Sequence, residues 1–132
     1  MRELTVKLGD KSVRLVANFK AAKKIAEEVG DPLMIGRESL LLSMMLERGM
    51  PYTPKWDFTV ENISLMLFIG MEAAGEKLSK EKLRLEDVQD LVFEVGFVQV
   101  RTIVVEYLQL IIGPRPEESL DDMVTEGKSE GN

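Results

Sequence analysis

Leu4, Val6 and Leu8 alternate with Thr5 and Lys7, a period of two that predicts a strand with one buried face. Gly9-Asp10 follows, a two-residue hairpin signal because glycine accepts a positive φ, and Val13 and Leu15 mark the return strand. An isolated hairpin is marginal in water, so this one must lie on helices or pair with another chain. At Asn18 the period lengthens. Asn18 suits a helix N-cap, and Phe19, Ala22, Ile25, Ala26 and Val29 follow at helical spacing as the expected buried face, with Gly30 just past the end. Lys23–Glu27 and Lys24–Glu28 are i,i+4 pairs on the opposite, solvated face.

Asp31-Pro32 can open the next helix, whose pattern is clearest from Arg37 to Arg48 and holds Leu40, Leu41, Leu42, Met44, Met45 and Leu46. Gly49-Met50-Pro51-Tyr52-Thr53-Pro54 breaks it. Tyr52 and Trp56 in this loop are read as rings covering the edge of the core rather than as a ligand site. Thr59 caps a strongly apolar helix, Val60 to about Ala74, with Ile63, Met66, Leu67, Phe68, Ile69 and Met71, and Gly75 ends it. The charged stretch Glu76–Arg84 is a short helix or a loop. Glu86-Asp87 belong to the first turn of a further helix, where the dipole favours negative charge, and Val88, Leu91, Val92 and Val95 are its apolar face before Gly96.

Phe97 to Ile112 is rich in β-branched residues, but its polar positions decide for helix. Gln99, Thr102, Glu106 and Gln109 recur at steps of three and four and form one narrow stripe. The remainder, Arg101 apart, is apolar. A helix this apolar is either the centre of the fold or buries a second face against another subunit; the small size of the domain favours the first. Gly113-Pro114-Arg115-Pro116 ends it. The prediction is thus a mainly α chain of about five helices with a short N-terminal β-hairpin over residues 1–113, followed by a disordered acidic tail over 114–132. From Glu117 onward that tail carries six acidic residues and one lysine, too little apolar surface to offset chain entropy.

Composition then narrows the chemistry. Neither cysteine nor histidine occurs in the 132 residues. That removes disulfides, thiolate metal sites, the cysteine nucleophile and the commonest general base and metal ligand. No glycine loop for phosphate and no calcium loop is present. The carboxylates Glu86, Asp87 and Asp90 are explained by helix capping and solvation. The expectation is therefore a non-enzyme without cofactor or metal. The net charge of −6 is uneven: residues 1–66 hold 10 Lys and Arg against 9 Asp and Glu, and residues 67–132 hold 7 against 14. A nucleic-acid binder needs a cationic footprint. The helix–glycine–helix arrangement around Gly96 superficially suggests a DNA-binding module, but its second helix offers one Arg and two Gln among β-branched residues. No nucleic acid is expected as a partner. No apolar run reaches the length of a membrane span and no secretory leader is present, so the expectation is no membrane and a cytoplasmic location.

What remains is protein binding. Eight methionines offer flexible, polarisable side chains that either fill a core or adapt to partners. The candidates for protein contact are Met44, Met45, Met66, Met71 and Phe68, together with the excess apolar face Val98, Val105 and Ile112. Self-association through such surfaces is a further option.

The order of these elements resembles the tail assembly chaperones of long-tailed bacteriophages and gene transfer agents. The likeness is carried by the hairpin Leu4 to Leu15, by Phe19 opening a helix that ends Glu28-Val29-Gly30-Asp31-Pro32, by Asp57-Phe58-Thr59 before an apolar helix, and by Leu85-Glu86-Asp87-Val88 before the last pair. It covers roughly residues 3–112. The resemblance implies a protein that binds the long tape measure protein, keeps it soluble, helps recruit tail tube subunits, works in the cytoplasm of the bacterial host and is absent from the mature virion. It implies no residue-level site. Two other readings stand beside it: a head–tail connector or completion protein, and a small helical adaptor or regulator.

Overall fold

The computed structural model describes residues 2–113. Strands β1 (Arg2–Leu8) and β2 (Lys11–Ala17) form an antiparallel hairpin whose register runs from Arg2↔Ala17 to Leu8↔Lys11. Gly9 turns it with φ 68°, the left-handed conformation that a two-residue turn demands. Val6, Leu8, Val13 and Leu15 are buried as the alternation predicts. Five helices follow: α1 (Phe19–Glu28), α2 (Pro32–Glu47), α3 (Val60–Ala73), α4 (Leu85–Val95) and α5 (Phe97–Ile112). The hairpin's inner face rests on α3 and α5 of the same chain, which resolves how so short a sheet is stabilised.

α3 and α5 form the centre. α5 packs against α2, α3, α4 and both strands, so its apolar excess is largely spent inside this fold. Val100, Ile103, Val104, Tyr107 and Leu108 are buried along it. Tyr107 is wholly buried, and its hydroxyl donates to the Val16 carbonyl at 2.7 Å, satisfying the polar end of an otherwise apolar ring. Burial alone raises its pKa. The far end of α5 is held by Arg2, whose guanidinium donates to the carbonyls of Leu110 and Ile111 at 3.1 Å each. A cation on the last free carbonyls of a helix complements its dipole. Gly96 separates α4 from α5 with φ 111°, and the two helices meet at a 118° bend. No single described helix is long and apolar enough to cross a membrane.

The expected caps are in place. Asn18 accepts from Ala21 N–H, Asp31 from Leu33 N–H and Thr59 from Asn62 N–H. α2 begins at Pro32, as Asp31-Pro32 signals: Asp31 caps it and proline fits its first turn. One open alternative is settled and one expectation changes. Glu76–Arg84 contains no helix; it is an irregular connection that sends Leu83 into the core. The buried face of α1 is Ala21 and Ile25, while Phe19 and Ala26 are exposed and Ala22 is half-buried. The reason is the way α1 is seated. It leans on α3, where Lys24 pairs with Glu72 instead of Glu28. That seating leaves the Phe19–Ala22–Ala26 side open. The acidic tail at 114–132 lies outside the described residues.

Candidate functional site

Among the described residues no buried side-chain polar atom lacks a hydrogen-bond partner. The buried carboxylate is a case in point. Glu38 on α2 is 2 % exposed and accepts from the Tyr52 hydroxyl and from the Lys55 N–H at 3.0 Å. The Tyr52 bond holds the Glu38 carboxyl below its usual range, against the opposing effect of burial, with the Lys55 N–H adding to it. The same bond raises the Tyr52 hydroxyl above its usual value. This pair pins the proline-containing loop to α2, and Trp56 and Phe58 stack edge to face behind it, with centroids 4.9 Å apart. The aromatic residues of the loop thus cover the core edge. Among the described residues no three acidic side chains are grouped to hold a metal ion.

What the fold leaves unexplained is apolar. Large hydrophobic side chains stand in solvent in three places. At the end of α5, an open groove of about 570 Å³ runs between α1, the start of α2 and the last turn of α5; Phe19, Ala22, Ala26, Leu33, Ile111 and Ile112 line it. Phe19 is 86 % exposed. At the start of α5, Phe93 and Phe97 meet edge to face at 6.0 Å, and Val98, 83 % exposed, stands beside them. A smaller recess of about 130 Å³ joins Val98 and Phe97 to Phe58, Val60 and Ile63, and Arg101 lies over the Phe58 ring at 5.4 Å, a cation–π contact. The third place is the outer side of α2, where Leu40, Met44, Leu46 and, just past its end, Met50 are exposed.

Comparison with family models, curated proteins and solved structures finds no match. The eight sequence candidates do not come together. Met66 and Met71 are fully buried in α3, so no partner reaches them in this fold; the apolar face they occupy is the one that carries the hairpin, α4 and α5. Phe68, Met45 and Val105 are half-buried. Met44 stands at the outer side of α2, Val98 at the α4–α5 corner and Ile112 in the groove. The candidates missed are Phe19, Leu33, Leu40, Leu46, Met50, Val60, Phe93 and Phe97.

A local rule accounts for five of the eleven exposed large hydrophobic residues. Phe19, Leu33, Val60, Phe97 and Val98 all occupy the first two positions of their helices. Helical side chains tilt toward the N-terminus, so a first-turn side chain projects past the helix end rather than over its own buried face. An apolar residue directly after a cap is the sequence signal that finds them.

Proposed function

We propose that this chain is a non-catalytic tail assembly chaperone of a long-tailed bacteriophage or gene transfer agent, which binds the tape measure protein, keeps it soluble and helps recruit tail tube subunits. The reading is supported by one observation above all: a core whose polar groups are satisfied among the described residues, surrounded by separate exposed apolar surfaces at helix ends and along the outer side of α2. Such surfaces mark protein contacts. A long, apolar, helical client would lay its hydrophobic stripe against them, each buried Å² contributing roughly 25 cal/mol. The chain's net charge of −6 keeps the complex from associating further. The fold has the expected N-terminal hairpin and five helices, and the absence of histidine and cysteine from the sequence is in keeping with binding rather than catalysis.

The reading places the protein in the cytoplasm of the infected bacterium and outside the finished particle. The test is purification of tagged protein from phage-producing cells with mass spectrometry of its companions, alongside analysis of purified virions. Tape measure protein or tail tube subunits with the tagged chain, and none of the chain in virions, is the expected result. Stoichiometric recovery in virions would instead identify a connector or completion protein. Recovery on a host complex alone would identify an adaptor.

A further inference from the structure

We propose that the outer edge of β1 is a docking surface for a second copy of this chain, the two β1 strands pairing antiparallel about a two-fold axis at Thr5 and joining the hairpins into a four-stranded sheet. A two-stranded sheet has two edges. On β2, the Arg14 N–H donates to Glu76 Oε1 at 3.2 Å and the Val16 carbonyl accepts from the Tyr107 hydroxyl. Both groups therefore point away from β1, and this edge is occupied from within the chain. Thr5 and Glu3 are the register partners of Arg14 and Val16. Residues opposite each other in an antiparallel ladder turn their backbone groups either both inward or both outward. Glu3, Thr5 and, by the same alternation, Lys7 thus turn their N–H and C=O groups away from β2. Among the described residues these groups make no hydrogen bond, and all three side chains are exposed. Such an edge is a template to which a further strand can add.

Charge complementarity selects the occupant. With Thr5 opposite Thr5 of the second copy, Glu3 stands opposite Lys7 of that copy and Lys7 opposite its Glu3, so every outward backbone group of the three residues finds a partner. Opposite charges directly across two strands stabilise the pairing and like charges oppose it. Parallel pairing in register would set Glu3 beside Glu3 and Lys7 beside Lys7. An antiparallel register shifted by two residues would leave both charges without an opposite. Lys7 forms no ion pair among the described residues, and Glu3 holds Arg14 at 3.3 Å through Oε1 only, which leaves Oε2 for a lysine. The inner face agrees. The same register sets Leu4 opposite Val6 of the second copy, and Leu4 is half-buried where Val6 and Leu8 are buried, so the edge carries an apolar side chain that a further strand would cover. A patch complementary to itself is what a two-fold interface requires.

Sedimentation and residue-resolved amide exchange of the full chain, from micromolar to millimolar concentration, test the pairing. The expected result is a monomer–dimer equilibrium in which the amides of Glu3, Thr5 and Lys7 gain protection as concentration rises. Those of Leu4 and Val6, already bonded to β2, should not change. Lys7→Glu sets like charges opposite each other twice in the dimer and should weaken association about tenfold. Adding Glu3→Lys to it restores two opposite pairs and should restore association. Both positions are exposed, and an unchanged helical spectrum confirms that each variant folds. A monomer at every concentration, a dimer indifferent to Lys7→Glu, or a double variant as weak as the single one would each overturn the proposal. Edge amides protected already in the dilute monomer would overturn it too, because another part of the chain would then cover the edge. Neither measurement involves a client, so its outcome is independent of the chaperone reading.

Discussion

Two glycines on helices show how differently the same substitution acts. At Gly70 an added Cβ would lie 3.0 Å from Tyr107 Cζ and 3.2 Å from Leu15 Cβ. Tyr107 cannot retreat without losing its bond to Val16, so Gly70→Ala should cost about 1–3 kcal/mol through overpacking, more than the helix propensity of alanine returns. At Gly36 the Cβ would lie 2.4 Å from Ile112 Cδ1, the tip of a half-exposed side chain that can rotate away. Gly36→Ala should be neutral or stabilise by up to about 1 kcal/mol. Urea denaturation of both variants checks the contrast; equal losses would refute it. Glu38 and Tyr52 make a second residue-scale case. The folded-state pKa of Glu38 lies below its ordinary 4.5, so its contribution is complete above that value and is lost as pH falls through the folded one. Tyr52 has its pKa raised above 10.0, so its contribution is complete below pH 10 and is lost as pH rises through the folded value. The difference in urea midpoint between wild type and Tyr52→Phe should therefore be widest between these limits and shrink on either side. A difference independent of pH would exclude this coupling. Nothing local in the sequence marked Glu38 as buried, because its partners lie 14 and 17 residues away in a loop without periodic pattern.

At the scale of elements, most of the architecture was legible because each helix carries its own start signal. Asn18, Asp31 and Thr59 identify three helix starts, and each makes the capping bond expected of it. The polar stripe Gln99–Thr102–Glu106–Gln109 identified α5 against its β-branched composition, and all four are exposed or outside the core. What escaped was which side of α1 is buried. Alanine and lysine occur on both sides of that helix, so its orientation is decided by α3 and the Lys24–Glu72 pair rather than by its own pattern. The α4–α5 corner gives the prediction at this scale. Gly96 combines φ 111° with ψ 134°, a region that residues with a Cβ avoid, although an added Cβ would meet nothing within 4 Å. Gly96→Ala should therefore lose about 1–3 kcal/mol from backbone strain alone. The loss should appear as a lower midpoint in thermal unfolding with an unchanged helical spectrum. A variant as stable as the wild type would mean the corner relaxes freely.

At the scale of the molecule, α5 organises the surface as well as the core. Its start carries the Phe93–Phe97–Val98 corner and its end carries the groove, about 24 Å apart at the rise of an α-helix. The candidates at its two ends, Val98 and Ile112, were legible from its apolar excess. The residues beside them were not, because Phe93, Phe19 and Leu33 belong to other helices and only packing brings them alongside. The corner is one of three exposed apolar surfaces, beside the groove and the outer side of α2. Phe93→Ser with Val98→Ser removes that surface at positions so exposed that stability should change by no more than about 0.5 kcal/mol per site. Under the proposed chaperone function, in cells co-expressing the tape measure protein, this double variant should lower the co-purified client about tenfold, the equivalent of 1.4 kcal/mol. The same change at the outer side of α2, Leu40→Ser with Leu46→Ser, serves as the matched control of equal apolar loss. A larger effect of the α2 pair would move the binding face to that helix. Full client recovery with both pairs would remove the exposed apolar surfaces as the basis of binding.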